Sequence, residues 1–459
     1  MSQHHPGSPP PSGGPPATPA SAPPRILSGP VFSQPTPTPD PGTFKIHHPS
    51  DSAAYKAIDK LNAEHKLFPM PFPAPRSEGA EPRLDLQTVF GGNVTAIANI
   101  QSFGQIVFHS LGDCGSVKGP STEDHVTDKM VADFNETDPK EVPQFALMLG
   151  DVIYNFGEAQ YYYDQFYDPY RNYPAPILAV AGNHDGMVSP LANAITLAAF
   201  LRNFCADPAQ GFQVNPEAGG LSRTAQVQPG VFFTFEAPFV RILFIYSNTL
   251  EDPGVISDPN IGSTQIDFLR AALTRVQKEN YTGALLFAHH HPPYVAGGGH
   301  GSSTVMRQQM DAVCAEVGVW PHAVLSGHAH NYQRFTRLRS DGTEIPYVVC
   351  GNGGHNVVKL SQPGDPVLRA PQIVVRAGGG KDQVTLENYD DVDYGYLRVI
   401  ADPQQLRIEY HPAADGATVK AADDHVVIDL ATRKQAAYVA NDLGFPARAL
   451  AIQAKSHGS

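Results

Sequence analysis

An α/β fold is predicted by two observations on the 459-residue chain. Five short apolar runs, each bounded by glycine and polar residues, have the unbroken hydrophobicity of strands buried on both faces. Between them, apolar residues recur at helical spacing over 264–276 and 303–317. The runs are Ile106–Leu111, Phe145–Leu149, Ile177–Ala181, Leu285–Ala288 and Ala323–Ser326, and each leads directly into metal-type donors. Open α/β sheets bind ligands beyond the carboxyl ends of their strands, so five such ends carrying Asp, Asn and His point to one site.

Composition bounds the possibilities. Charged residues at 17% and apolar ones at 41% are ordinary for a globular enzyme. A net charge of −13 disfavours a nucleic-acid backbone as partner, because such binding is driven by Lys and Arg. An anionic small substrate stays compatible where bound cations invert the local field. No run approaches the roughly 18 apolar residues that cross a membrane. Cys114, Cys205, Cys314 and Cys350 are far apart, which reads as isolated buried thiols.

In chain order, residues 1–45 are expected to be a disordered tail. Met1–Gly42 holds 14 prolines, and no basic segment followed by an apolar one marks a signal peptide. Either the protein is cytoplasmic, the reading favoured here, or the true start of the chain lies elsewhere. Residues 46–104 are read as a small extension: a helix carrying Tyr55, Ile58 and Leu61, then strands near Leu84–Phe90 and Val94–Ile100. The main domain is expected over 105–430. Ser263 or Thr264 caps one helix, with Ile266, Leu269, Leu273 and Val276 on its inner face. The second helix turns Val305, Met306, Met310 and Val313 inward. The aromatic cluster Tyr161 to Tyr170 is read as packing beside the sheet. The long stretch 186–281 carries its own strand pair, Val231–Glu236 and Val240–Tyr246, with loops that wall the site. Runs at Tyr347–Cys350, Tyr396–Ile400, Leu406–Tyr410 and Val426–Leu430 suggest a second sheet, and 431–459 a weakly helical tail.

The donors themselves are Asp113, Asp151, Tyr154, Asn183, His290, His328 and His330. Oxygen and imidazole in this mixture suit two adjacent hard or borderline cations, with Asp151 as the natural bridge. Singly, each has a plainer reading, since an Asp after a strand commonly caps a helix. The ordered set is specific.

Gly112-Asp113-Cys114-Gly115, Gly150-Asp151-Val152-Ile153-Tyr154, Gly182-Asn183-His184-Asp185, His290-His291-Pro292 and Gly327-His328-Ala329-His330 resemble the calcineurin-like metallophosphoesterases, and among them the purple acid phosphatases. The resemblance implies a four-layer α/β/β/α sandwich of two mixed β-sheets flanked by helices. It implies one ion held by Asp113, Asp151, Tyr154 and His330, and a second held by Asp151, Asn183, His290 and His328. Fe(III) is implied at the tyrosine site, with Fe(II), Zn(II) or Mn(II) beside it. Phosphomonoesters would be hydrolysed by attack of metal-bound hydroxide, with His184 contacting the phosphate and His300 assisting the leaving group. For His300 the alternative is an exposed loop histidine. A phosphodiesterase or nucleotide pyrophosphatase on the same scaffold is the competing function. Two departures bear on it: Gly115 stands where phosphodiesterase relatives carry histidine, and the arginines of the protein Ser/Thr phosphatase motifs are absent. The expected partner is a small phosphate ester.

Overall fold

The computed structural model describes residues 49–64, 66–188, 195–361, 371–376, 379–413 and 422–437. The proline-rich stretch and most of the C-terminal tail expected from the sequence lie outside them. Helix α1 (Pro49–Ala63) leads to β1 (Arg83–Asp85), α2 (Leu86–Val89) and α3 (Val94–Phe103). The strands expected at Leu84–Phe90 and Val94–Ile100 are thus mostly helical. Local capping overrides the β-branched composition: Asp85 accepts from the Thr88 N–H at 2.6 Å and Asn93 from the Ala96 N–H at 3.0 Å. Gly104 then closes α3 in the left-handed conformation, φ +75°.

The core begins with β2 (Ile106–Leu111), α4 (Ser121–Ala132), β3 (Ala146–Leu149), β4 (Ile177–Val180), α5 (Asn183–Gly186) and α6 (Ala198–Phe204). It continues through β5 (Phe233–Ala237), β6 (Val240–Phe244), α7 (Thr264–Lys278), β7 (Ala284–Ala288), α8 (Thr304–Val317) and β8 (Ala323–Ser326). Eight further strands follow: β9 (Tyr332–Leu338), β10 (Glu344–Cys350), β11 (Gln372–Val375), β12 (Lys381–Asp390), β13 (Gly395–Ala401), β14 (Gln405–Pro412), β15 (Asp424–Asp429) and β16 (Lys434–Gln435).

These strands form two mixed sheets flanked by helices. One runs β16-β15-β14-β13-β2-β3-β4, the other β1-β5-β6-β7-β8-β10-β9-β12-β11. The five ligand-bearing strands therefore divide between sheets: β2, β3 and β4 lie parallel in the first, β7 and β8 parallel in the second. The late strands do not form a second sheet of their own. Strands β13–β15 extend the first, while β10 joins the second beside β8. Strand β16 continues the first sheet into residues expected to be helical. Every residue of β2, β3, β4, β7 and β8 is buried, which is why their sequences are continuous apolar runs.

Phe145 stacks on Phe108 and meets Phe235 of the opposite sheet edge-on, with ring centroids 5.1 Å apart. The core thus lies between the sheets. Helix α7 buries Phe268, Leu269, Leu273 and Val276, leaving Ile266 partly exposed; α8 buries Met306, Met310 and Val313, while Val305 faces outward at 47% exposure. Tyr161, Tyr162, Phe166, Tyr167 and Tyr170 are all buried. Among the described residues, no helix is long and apolar enough to cross a membrane.

A buried ion cluster anchors β13 to β14. Glu409 accepts from His411 Nε2 at 3.0 Å and lies 3.5 Å from an Arg398 nitrogen. Burial raises the Glu409 pKa, but His411, Arg398 and Arg407 outweigh it and bring it down to about 2. A depressed folded-state value stabilises the fold above the unfolded carboxyl value, and that stability is lost as pH falls through the folded one. Glu409→Gln is expected to cost roughly 3 kcal/mol at pH 7. In urea titrations of chelator-treated protein, the gap to wild type should close as pH falls from 4.5 towards about 2. A gap independent of pH would show that the ionised carboxylate is not what the substitution removes.

Candidate metal centre

The carboxyl ends of β2, β3, β4, β7 and β8 converge across the two sheets. Backbone bonds fasten the rims together: Gly112 N–H donates to Cys350 O at 2.8 Å, Asp113 N–H to Gly150 O at 2.9 Å and Gly327 N–H to His290 O at 2.9 Å. Asp113, Asp151 and His328 sit at φ +57°, +51° and +69°. Non-glycine residues avoid this region, and such outliers gather where function overrides local comfort. Each side chain reaches a neighbouring strand end: Asp113 Oδ2 accepts from His328 N–H at 2.6 Å, Asp151 Oδ1 accepts from His184 N–H at 3.0 Å, and His328 Nδ1 lies 3.2 Å from His290 Nε2. Gly182 supplies the clearance Asp151 needs, because a Cβ there would collide with the Asp151 carboxylate and backbone nitrogen.

All seven candidate donors come together, in two clusters. In the first, the Tyr154 hydroxyl donates to Asp113 Oδ1 at 3.0 Å and lies 3.2 Å from His330 Nε2, which is itself 3.3 Å from Asp113 Oδ1. In the second, His290 Nε2 is 2.9 Å from Asn183 Oδ1, 3.2 Å from Asp151 Oδ2 and 3.2 Å from His328 Nδ1. Donors bound at about 2.1 Å to one ion stand about 3.0–3.4 Å apart, depending on coordination geometry. The separations in both clusters suit this. Asp151 Oδ2 is buried with no hydrogen-bond partner, so a carboxylate oxygen is left aimed into the space between these side chains. His290 Nε2 and His184 Nε2 face that oxygen at 3.2 and 3.9 Å without completing a hydrogen bond, and a cation shared with them would satisfy it. The donor set therefore fits two ions.

Of the three successive histidines 289–291, the hydrogen-bond partners turn only His290 to the cluster. His290 Nδ1 donates to Leu149 O at 2.8 Å, which turns Nε2 towards the cluster. His291 spends both nitrogens elsewhere, on Ser247 Oγ at 2.8 Å and Leu250 O at 2.7 Å. His289 is fully buried with neither nitrogen bonded. His184 gives its Nδ1 proton to Asn155 O at 2.8 Å, and its Nε2 stands 3.9 Å from Asp151 Oδ2. His300 lies further out, its ring 4.1 Å from His328 and its Nδ1 3.6 Å from Asp252 Oδ2.

The electrostatics follow from burial. Burial lowers His290, yet Asp151 and Asp113 lift its pKa to about 10. Burial raises Asp151, yet His290 and His184 hold it well below the usual carboxylate range. Burial, then Asp113 and Asp151, push the Tyr154 phenol far above its ordinary value.

Three contributors escape sequence reasoning. His355 stacks on Tyr154 with centroids 3.6 Å apart and donates from Nδ1 to Gly115 O at 2.8 Å. It follows β10 in Gly351-Asn352-Gly353-Gly354-His355, the same pattern of buried strand then glycine that marks the other ends. Glu251 accepts from Asn183 Nδ2 at 3.0 Å, and Asp252 lies 3.6 Å from His328 Nε2. They stand several residues beyond β6 and carry no motif.

Residues 109–332 match the family model for calcineurin-like phosphoesterases. The chain carries a calcineurin-like metallophosphoesterase domain. That family implies a dinuclear metal centre. No curated protein matches the chain. Among solved structures, it is similar to GAP50, the anchor in the inner membrane complex of Plasmodium, with 14% identity and a TM-score of 0.45 over 69% of this chain and 87% of that one. PhoD shares 13% identity at a TM-score of 0.42, covering 81% and 74%. A conserved uncharacterised protein from Streptococcus pneumoniae TIGR4, titled a predicted phosphoesterase, shares 10% at 0.24, covering 67% and 90%.

Within this calcineurin-like domain the Gly182 contact gives a direct test. Gly182→Ala is expected to cost about 1–3 kcal/mol by overpacking and to displace Asp151, so that the chain purifies with little bound metal. Thermal melts and metal analysis check both; wild-type metal content in the variant would contradict the close approach.

Proposed function

We propose that this chain is a dinuclear-metal phosphomonoesterase of the purple acid phosphatase kind. The observation that carries the reading is Tyr154, a buried phenol whose hydroxyl lies 3.0 Å from Asp113 and 3.2 Å from the partly buried His330. Asp113, Asp151, Tyr154 and His330 hold the first ion; Asp151, Asn183, His290 and His328 hold the second. A phenolate is a hard anionic donor that suits a highly charged cation, which favours Fe(III) in the first position, with Fe(II), Zn(II) or Mn(II) in the second.

When bound, the two ions supply Lewis acidity for the phosphoryl oxygens and lower the pKa of a bound water. The remaining work falls to side chains. His184, oriented by Asn155 O, presents Nε2 beside Asp151, where a phosphate oxygen can be received. His300 stands outside His328, on the side from which a leaving group departs, and is the candidate general acid. Gly115, whose added Cβ would meet Gln165 and the Val152 carbonyl, leaves no room for the histidine that phosphodiesterase-type sites place there. Small phosphate esters are the substrate class.

Two substitutions and one comparison test this reading. Asp151→Asn should abolish bound metal and lower activity by more than about 100-fold, beyond the usual loss for an outer-layer partner. Tyr154→Phe should remove visible absorption from an iron-containing protein, read by spectrum and metal analysis together. Hydrolysis of an aryl phosphomonoester should exceed that of the matching diester across acid pH. A colourless zinc or manganese protein preferring diesters would replace the proposal with a phosphodiesterase on the same ligands.

A further inference from the structure

Two adjacent carboxylates outside the seven donors stand behind the second cluster. Glu251 Oε2 accepts from Asn183 Nδ2 at 3.0 Å, and its Oε1 accepts from the Tyr55 hydroxyl of α1 at 3.2 Å. An asparagine amide has a donor end and an acceptor end. Giving the donor end to Glu251 leaves Oδ1 on the cluster side, 2.9 Å from His290 Nε2. With both its oxygens engaged, Glu251 cannot swing away without losing one partner.

Asp252 addresses a different member of the same cluster. Its Oδ1 lies 3.6 Å from His328 Nε2 and its Oδ2 3.6 Å from His300 Nδ1, while Oδ2 also accepts from the Gly301 N–H at 3.0 Å. The 3.6 Å contacts are longer than hydrogen bonds. Yet Asp252 Oδ1, His300 Nδ1 and His328 Nε2 are all buried with no hydrogen-bond partner, and His328 is only 1% exposed. Three unpaired atoms facing one another need only a small closure to pair.

Asp252, His300 and His328 also bring ligand atoms within 4.8 Å of one another, a spacing that suits an ion. The His328 ring argues against that use. Its Nδ1 faces His290 Nε2 at 3.2 Å, inside the second cluster. A neutral imidazole that gives the Nδ1 lone pair to a cation carries its proton on Nε2. It then offers Asp252 a donor and has no second lone pair for another ion. A carboxylate behind a ligating histidine fixes both its tautomer and its ring orientation.

We propose that the Glu251–Asp252 pair is the positioning element of the second cation, Glu251 acting through the Asn183 amide and Asp252 through the His328 ring. This rests on the two-ion reading of the site. Neither carboxylate is a ligand itself, so removing either weakens one site and spares the other.

The test is a cobalt(II) titration of the metal-depleted full chain, followed by visible ligand-field bands and equilibrium dialysis. Wild type should bind two equivalents in separable steps. Glu251→Ala and Asp252→Ala should each weaken the same single step by about 10–100-fold, the usual loss for such partners. Glu251→Gln and Asp252→Glu should recover part of it, and melting of the metal-free chain should not change. His300→Ala should leave both steps in place. Variants that titrate like wild type would overturn the positioning role alone. So would equal weakening of both steps with a lowered metal-free melting temperature, which marks a structural role. A third cobalt equivalent lost in His300→Ala would assign Asp252, His300 and His328 to a separate ion. Fewer than two equivalents on wild type would overturn the two-ion reading, and this inference with it.

Discussion

Asp151 is a carboxylate 1% exposed to solvent, with one oxygen that no hydrogen bond reaches. Ionised groups leave water at a cost of several kcal/mol unless paired. In the protein alone this one is met by His290 and His184, which is why its pKa falls and that of His290 climbs to about 10. Much of the surrounding structure can be derived from this buried carboxylate. Gly182 is required because the Asp151 side chain occupies the volume of its Cβ. Asp185 accepts from Val152 N–H at 3.1 Å, Ile153 N–H at 3.2 Å and Gly182 N–H at 2.8 Å, tying the loop after β3 to the loop after β4 around that carboxylate. The left-handed backbone at Asp113, Asp151 and His328 is the conformational cost of the same convergence.

The strand ends were legible because these strands are buried on both faces. Burial removes alternation and leaves continuous apolar runs, so where a run stops and a donor begins can be read without coordinates. The pairing of those strands was not legible. Phe145–Leu149 and Leu285–Ala288 carry the same local signal, yet one lies in the first sheet and the other in the second. Sheet membership is decided by long-range register, to which short sequence windows are blind. The misread extension has another cause. In Val94–Phe103 a side-chain cap at Asn93 and a left-handed glycine at 104 favour helix at low cost, and only Ile100 of that helix is buried, so no packing term opposes them.

Site residues divide along the same line. Six of the seven donors lie in glycine-punctuated strand ends, and the seventh, His290, in a proline-bounded histidine run, where the turn geometry itself constrains which residues are tolerated. His355 belongs to that class and was readable from Gly351-Asn352-Gly353-Gly354 after β10. Glu251 and Asp252 were not, because a carboxylate that orients a ligand needs only to reach it, from any backbone. Outer-layer partners are defined by direction in space, and in one dimension they resemble any acidic loop.

The overall charge of −13 sits oddly with an anionic substrate until the distribution of charge is considered. A site holding two polyvalent cations is locally positive whatever the chain's sum. Glu251 and Asp252 add negative charge beside the second cluster, their oxygens turned towards Asn183, Tyr55, His300 and His328. Acidic residues placed there strengthen cation binding, whereas the same residues in front of the cations would repel substrate. On the proposed two-ion reading, that placement lets one acidic chain bind cations and still admit an anion.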